Sequence, residues 1–465
     1  MSRPAKSQPT NSDSSRKNSN STAMTGRRRF LQAGSGAVMA AALTPWHAWA
    51  SRPMINRSPN DRPNIGCIGV GSMGTGDAHD HARFANIMAV CDADQSRVDA
   101  AWKDPKIGNE KCDRTTDYRE VLDRKDIDTV SIVTPDHWHV KIALEALAAG
   151  KHVFCQKPLT FTLEEGQLIR KACEQHPKQI FFIGTQQRSD KDRFLRAINM
   201  VQKGLLGDIT KVTVGIDGSP TGGPFPVATP PEGLNWDRWL GPAPKVDYRE
   251  KRCHYEFRWW YEYSGGKFTD WGAHHVDIAT WATNRQKVGH GPVEIDGTDA
   301  KHPVEYKGGM PTVDDCYNTS HDFNVICRYD DGMEMHITSR GDNGILFEGT
   351  KGRIFVNRGK IEGTPIKENW DDGKFGEAEL TDLYKGKPFE GHKENFYRCI
   401  TEGGLPVSDV WSHVQVMNVC HLASIAARLG RKLKWDCGSA TIKDDEQAAS
   451  FMARKPREGF EYLRS

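Results

Sequence analysis

The chain has 465 residues, 37% of them hydrophobic and 27% charged, with 63 Lys and Arg against 61 Asp and Glu for a formal net charge of +2. The two signs are interspersed, which argues against nucleic acid or an anionic membrane as partner. Eleven cysteines, an odd number with no C-x-x-C and no His/Cys zinc spacing, exclude a disulfide framework and a zinc module.

Residues before about Gly26 are too polar to bury a core. The run Gly26 to Gln32 carries Arg27, Arg28 and Arg29 followed by Phe30 and Leu31. A moderately apolar stretch, Ala33 to Leu43, and the small residues around Ala50 complete the three parts of an export signal. The paired arginines resemble a twin-arginine signal, so residues 1–50 are expected to direct the chain to the periplasm and to be removed, with 51–62 as linker. The apolar stretch is too short and too rich in Ala and Gly to make a convincing membrane span, with an uncleaved signal anchor as the lesser alternative, so no membrane association is expected after cleavage. The remaining 415 residues suffice for two domains.

From Asn64 the sequence reads N-I-G-C-I-G-V-G-S-M-G, and Asp92 ends a second apolar run eighteen residues after Gly74. A strand feeding G-x-G-x-x-G, a helix-length segment, a second strand and a terminal acid form the dinucleotide fingerprint in its proper context. Gly69, Gly71, Ser72, Met73 and Gly74 would hold a pyrophosphate at a helix N-terminus, and Asp92 would accept from the adenosine ribose. A free ribose hydroxyl suits that acid better than a 2'-phosphate, so NAD is expected over NADP, with Ser96 and Arg97 leaving some room for the phosphate.

Alternation continues. Helices are predicted over Ser72–Arg83, Asp94–Trp102, Tyr118–Asp123, His139–Ala149 and Leu163–Glu174, and strands at Asp128–Val133, Lys151–Cys155 and Gln179–Ile183, with a further unit at Arg114–Thr116. This pattern builds a doubly wound parallel sheet, a Rossmann domain over 63–186, whose ligands sit at the carboxyl ends of its strands. Thr134, Asp136, His137, His139, Gln156, Lys157, Gln186 and Gln187 lie at or just beyond such ends. Past Gly207 the pattern changes to strand-like runs at Ile209–Ile216, Thr319–Tyr329, Met333–Ser339, Ile345–Gly349 and Gly352–Asn357, with a hairpin turn at Gly332. An α+β domain with an open, mainly antiparallel sheet is expected over 187–409. Residues 410–465, led by a helix from Val410 to Leu429, are expected to pack back on the first domain.

The motifs T-P-D-H-W-H at Thr134–His139, G-K-H-V-F-C-Q-K-P at Gly150–Pro158 and G-G-K-F-T-D-W-G-A-H-H-V-D at Gly265–Asp277 resemble the Gfo/Idh/MocA family of glucose-fructose oxidoreductases and inositol dehydrogenases. The resemblance spans nearly all of the mature chain. It implies an NAD-dependent oxidoreductase acting on a secondary hydroxyl of a sugar or polyol, with Lys157, Asp270 and His274 as the catalytic group, and a homo-oligomer, dimer or tetramer, built on the open sheet of the second domain. Such chemistry needs a base, a carboxylate to orient it and a cation to stabilise the developing oxyanion. Asp270 and His274, four apart in an expected helix, would share one face. One departure stands out: Gln156 occupies the position where the family usually has Glu. Arg188, Arg258, Trp259 and Tyr261 are further candidates to line a sugar site, with core packing equally plausible for each. His79, His81, His137, His139 and His254 lack the spacing of a metal site, and no metal is expected. An NAD-dependent glycoside hydrolase using transient oxidation and elimination, and a non-catalytic sugar-binding protein, are the competing readings.

Overall fold

A computed structural model describes residues 61–364, 366 and 375–463; the expected export segment, residues 1–50, lies outside the described residues, as does nearly all of the linker. The first sheet takes its strands from the fingerprint half of the chain: β1 (Asn64–Ile68), β2 (Asn86–Cys91), β3 (Asp113–Thr115), β4 (Thr129–Ile132), β5 (His152–Gln156) and β6 (Phe181–Gly184). Their order is β3-β2-β1-β4-β5-β6, all parallel. The order reverses beside β1, which opens a crevice at the carboxyl ends of β1 and β4. Helices α1 (Ser72–His81), α2 (Gln95–Lys103), α3 (Tyr118–Leu122), α4 (His139–Ala148) and α5 (Leu163–Gln175) make the crossovers. Side chains of Asp94, Asp117 and Thr162 cap α2, α3 and α5 by accepting backbone N–H bonds.

The second sheet has ten strands: β7 (Ile209–Gly215), β8 (Glu294–Asp296), β9 (Ala300–Lys301), β12 (Asp322–Arg328), β13 (Glu334–Thr338), β14 (Gly344–Gly349), β15 (Gly352–Val356), β16 (Ile361–Gly363), β17 (Lys432–Asp436) and β18 (Thr441–Lys443). A separate small hairpin pairs β10 (Tyr306–Lys307) with β11 (Met310–Pro311). All neighbours in the large sheet run antiparallel except β7 and β13. Along β12 every second residue is buried, so one face meets the core and the other carries charge, including Arg328 paired with Glu294 at 2.6 Å and Glu334 at 3.0 Å.

Helices α6 (Arg196–Gln202), α8 (Lys267–Asp270), α9 (Gly272–Ala282), α10 (Glu377–Leu383), α11 (His392–Glu402), α12 (Val410–Leu429) and α13 (Glu446–Ser450) accompany this sheet, and α7 (Trp236–Leu240) stands in the long connection after β7. Helix α12 is capped by Asp409, which accepts from Ser412 N–H at 2.8 Å, and stopped by left-handed Gly430. Its buried residues join both halves: Val414 belongs with the first sheet's core, Met417 and Leu422 with the second's. Gly166 of α5 admits the contact, since a Cβ there would lie 2.9 Å from Val414. The C-terminal stretch divides. Residues 432–443 extend the second sheet through β17 and β18, contrary to the expectation that all of 410–465 returns to the first domain. The last residues do return, with Phe460 edge-on to Trp138 and the Glu461 carbonyl accepting from Lys141.

Candidate active site

The cleft begins where β1 must turn sharply. Gly69 has φ 84°, and a Cβ on it would sit 2.5 Å from the Val133 carbonyl oxygen, so both conformation and space require glycine. A Cβ on Gly74 would lie 1.9 Å from the Gly69 oxygen, which holds the first turn of α1 against the loop. Gly71 faces Arg97, whose guanidinium would meet a Cβ at 2.4 Å. Asp92, at the end of β2, accepts from the N–H groups of Val70 at 3.0 Å and Asp94 at 3.1 Å; burial pushes its carboxyl above the usual value. Gly69, Gly71, Ser72, Met73, Gly74, Asp92, Thr134, Asp136, His139, Gln156 and Lys157 all wall one cavity. This cradle, with bare backbone at a helix N-terminus and a carboxylate one strand away, fits a dinucleotide.

At the far end of the same cavity Lys157 donates to the Asp270 carboxylate at 2.6 Å and to its carbonyl at 3.2 Å, and Arg258 approaches the carboxylate to 3.6 Å. Burial tends to raise the Asp270 carboxyl, but Lys157, Arg258 and Lys267 together hold it down at about 2, so it is ionised at any physiological pH. Asp136 sits close by, buried, its carboxyl pushed up to about 7 by burial and by the Asp270 charge, with Arg258 and Lys157 pulling the other way. His139 is fixed between the Pro158 carbonyl at 2.7 Å and the Thr134 carbonyl at 2.8 Å, and burial lowers its pKa to about 4.

The helix expected to carry Asp270 and His274 together is interrupted: α8 ends at Asp270 and α9 restarts at Gly272. Asp270 spends its carboxylate on Lys157 and Arg258, and no hydrogen bond joins it to the imidazole among the described residues. His274 is only 5% exposed, lies off the cavity wall, and has a buried Nδ1 without a partner. Burial, with Lys157 and Arg358 adding repulsion, drives its pKa well down, so the ring is neutral.

Gln156 explains itself through its neighbours. Its amide donates to Asp77 at 2.7 Å, and the other Asp77 oxygen accepts from Lys393 at 2.8 Å, in a nearly sealed network beneath the Lys157 loop. A glutamate at 156 would set two carboxylates in contact there, whereas the amide can donate.

Several expected residues lie elsewhere. Arg188 is not in the cleft: it is 1% exposed, bound at both ends of its guanidinium to Asp277 at 2.5 and 2.7 Å and to the Val407 carbonyl at 2.7 Å. Trp259 is buried, donating to Glu256 at 2.8 Å, and Tyr261 faces a different cavity with its hydroxyl 3.2 Å from that of Ser320. His137 is buried against the Trp239 carbonyl, and Gln186 is exposed off the cavity wall. Sequence reasoning also missed the roof. Arg238, Trp239, His254, Tyr255 and Phe257, all from the connection after β7, close over the nucleotide end. Backbone bonds pin that connection to the first domain, Gln95 N–H to Gly233 and Asn235 N–H to Ala93, both at 3.0 Å. The compact Trp236–Leu240 segment was the visible signal; what it would cover was not. Among the described residues no group of three His, Cys, Asp or Glu side chains is placed to hold a metal, and all eleven cysteines are free.

Comparison with known proteins adds two family matches: an oxidoreductase family with an NAD-binding Rossmann fold over residues 63–184, and the C-terminal alpha/beta domain of an oxidoreductase family over 197–462. An alpha-N-acetylgalactosaminidase of Shewanella oneidensis is 32% identical over 209 residues, 39% of this chain and 44% of that protein. The chain thus spans less than half the length of the curated relatives it matches. Among solved structures, an aldose-aldose oxidoreductase of Caulobacter crescentus superposes with a TM-score of 0.56 at 17% identity, covering 80% of this chain and 99% of that one. A myo-inositol 2-dehydrogenase of Lactobacillus plantarum gives 0.53 at 19% identity with the same coverage. At such identities the likeness is one of fold.

Proposed function

Since this chain belongs to the Gfo/Idh/MocA family of NAD-binding oxidoreductases, we propose that it oxidises a secondary hydroxyl of a sugar or polyol beside NAD held in the cleft. The observation that carries this reading is the Lys157–Asp270 pair, 2.6 Å apart and walling the same cavity as the glycine-rich loop and Asp92. Gly69 to Gly74 would hold the pyrophosphate, Asp92 the ribose, and Thr134, Asp136, His139 and Gln156 the nicotinamide end. Bound NAD supplies a hydride acceptor. The Lys157 ammonium, aimed by Asp270, donates to the reacting hydroxyl oxygen and stabilises the charge that develops on it. The base that takes the hydroxyl proton is assigned to His274 on the family resemblance alone, its neutral ring lying off the cavity wall as the chain stands. Arg258, bridging Asp270 and the cavity, donates to a neighbouring sugar hydroxyl.

The roof over the nucleotide supports tight retention of NAD, and the Asp92 carboxylate supports NAD over NADP. Together with the export signal read in residues 1–50, this describes an enzyme loaded before export, working in the periplasm and assembling through the open sheet. Denaturing protein purified by mild gel filtration should release close to one NAD per chain. Adding sugars and polyols singly should then produce the near-ultraviolet absorbance of reduced nicotinamide with at least one of them. Protein that is empty and binds NADP as tightly as NAD by calorimetry would overturn the cofactor assignment.

A second reading, a glycoside hydrolase working by transient oxidation and elimination, is favoured by the name of the Shewanella relative. Of the tyrosines near α8, Tyr255 walls the cleft, is 62% exposed and carries on its ring the same Arg258 that approaches Asp270; in this reading it serves the leaving group. Release of a phenol from an aryl glycoside with no net reduced nicotinamide would select this reading.

A further inference from the structure

A second cavity, of about 240 Å³, shares no wall residue with the cleft just described. It lies behind the start of α5, between the hairpin of β10 and β11, the last turns of α12 and the C-terminal segment. Two arginines wall it. Arg428 is stacked between Tyr261 and Phe451, its guanidinium 4.7 and 4.4 Å from the ring centres. Its hydrogen bonds go to the Gly309 carbonyl at 3.0 Å and the Met310 sulfur at 2.9 Å. Arg454 lies 4.1 Å from the Phe161 ring, donates through one nitrogen to the Glu262 carbonyl at 2.5 Å, and has a buried Nη2 with no partner. Neither arginine has an ion pair among the described residues.

A guanidinium out of water normally has a carboxylate against it, because desolvating an unpaired cation costs several kcal/mol. The acids nearby are otherwise engaged. Glu262, on the cavity wall, accepts from Asn318 at 3.0 Å and lies 3.5 Å from Arg252. Glu165 is bonded to the Tyr462 hydroxyl and the Phe161 N–H, and burial pushes its carboxyl up to about 7, which halves its charge at neutral pH. Burial also pulls both guanidinium groups below the ordinary arginine value, the mark of cations that an anion would stabilise.

We infer that this cavity is a binding site for a small organic oxyanion, whose carboxylate or phosphate group is held between Arg428 and Arg454 while its body rests on Phe161 and Phe451. Paired guanidinium donors suit either anion, and aromatic walls suit a ligand with an apolar face.

The test is calorimetric titration of the NAD-loaded protein with two probes, inorganic phosphate and benzoate. At least one should saturate at millimolar concentration or below. Arg454→Gln should weaken that binding by about tenfold or more, and Glu262→Gln, which removes the competing carboxylate, should tighten it. Saturation by phosphate alone identifies a phosphate site, and by benzoate alone a carboxylate site. Lys157→Ala should bind the probe like the parent chain, which separates this site from the redox cleft. Should Arg454→Gln not fold, Arg428→Met and Glu262→Gln carry the same comparison. If neither probe saturates at millimolar concentration, or if binding is indifferent to these substitutions, the inference is wrong.

Discussion

Two ion pairs, both involving an aspartate from the α8–α9 segment, show how the same charges serve opposite ends. Lys157–Asp270 and Arg188–Asp277 each join a cation from the first half of the chain to an acid only seven residues from its counterpart. The first retains 12% and 16% side-chain exposure and opens on the cleft; the second retains 1% and 0%. A lysine holds a compact charge on a flexible stem that can turn from its partner to a substrate oxygen. A bidentate arginine is fixed by its own fork. The accessible pair is built for chemistry, and the sealed pair fastens α9 to the segment after β6 and to the chain before α12.

The largest effect that would break this contrast is on turnover. Lys157→Ala should lower kcat by roughly two to four orders of magnitude, and His274→Ala by a similar factor, with NAD content and unfolding midpoint nearly unchanged. Retention of more than about a tenth of activity by either variant would remove that residue from the reaction.

The sealed pair should answer the other way. Arg188→Met leaves Asp277 as an uncompensated buried acid and should cost about 3–5 kcal/mol in denaturant unfolding. Molecules that remain folded should keep their NAD. Arg188→Met combined with Asp277→Leu should recover most of the loss, because the penalty belongs to the orphaned charge. A wild-type Tm for the single variant would show that the sealed pair does not fasten the fold.

The contrast also marks what the sequence could tell. The floor of the cleft was legible because it is contiguous in sequence: Gly69, Gly71 and Gly74 fall in one short run, each where a Cβ would clash, and Asp92 ends the next strand. The strands of the first sheet, the long strands β7 and β12 to β15 of the second and the limits of α12 were legible from periodicity, whereas the short strands β8, β9, β16, β17 and β18 were not, being too brief to show a period. Arg188 and Tyr261 were misplaced because charge and aromaticity do not say which way a side chain points. The roof was missed because a Pro- and Gly-rich connection has no period, and its position depends on the pairing of its Gly233, Leu234 and Asn235 with Gln95, Asp94 and Ala93 across the molecule. The break at Trp271 was missed because D-W-G-A-H-H continues a helical pattern without interruption.

A smaller effect sharpens the electrostatics of the accessible pair. Asp136 has an unfolded pKa of about 3.9 and a folded value of about 7, so the folded chain binds more protons between these limits. Its contribution to stability is full below about pH 4 and is lost as pH rises through 7. Asp136→Asn should therefore gain stability relative to the parent chain between pH 5 and pH 7, by up to about 1.4 kcal/mol per pH unit at the steepest point. Parallel pH profiles of the two proteins would place the ionised form of Asp136 below pH 5 and remove burial as the controlling influence.

The smallest expected effect tests the layer beneath Lys157. Asp77 and Lys393 form a buried pair, 2.8 Å apart, that resembles the sealed Arg188–Asp277 pair in burial but touches the cleft through Gln156. Gln156→Glu exchanges an amide that donates to Asp77 for a carboxyl that must stay protonated to do the same. Its folded pKa would rise above the unfolded value of about 4.3, so the variant should match the parent chain below that pH and lose stability progressively as pH rises through the new folded value. A loss of about 1–2 kcal/mol at pH 8, shrinking to nothing near pH 4, is the expected signature in urea unfolding. Turnover should fall over the same pH range, because a carboxylate repelled by Asp77 shifts the loop that aims Lys157. A pH-independent loss would mean that the substitution acts through shape alone, and that the Asp77–Lys393 pair is insulated from the accessible pair above it.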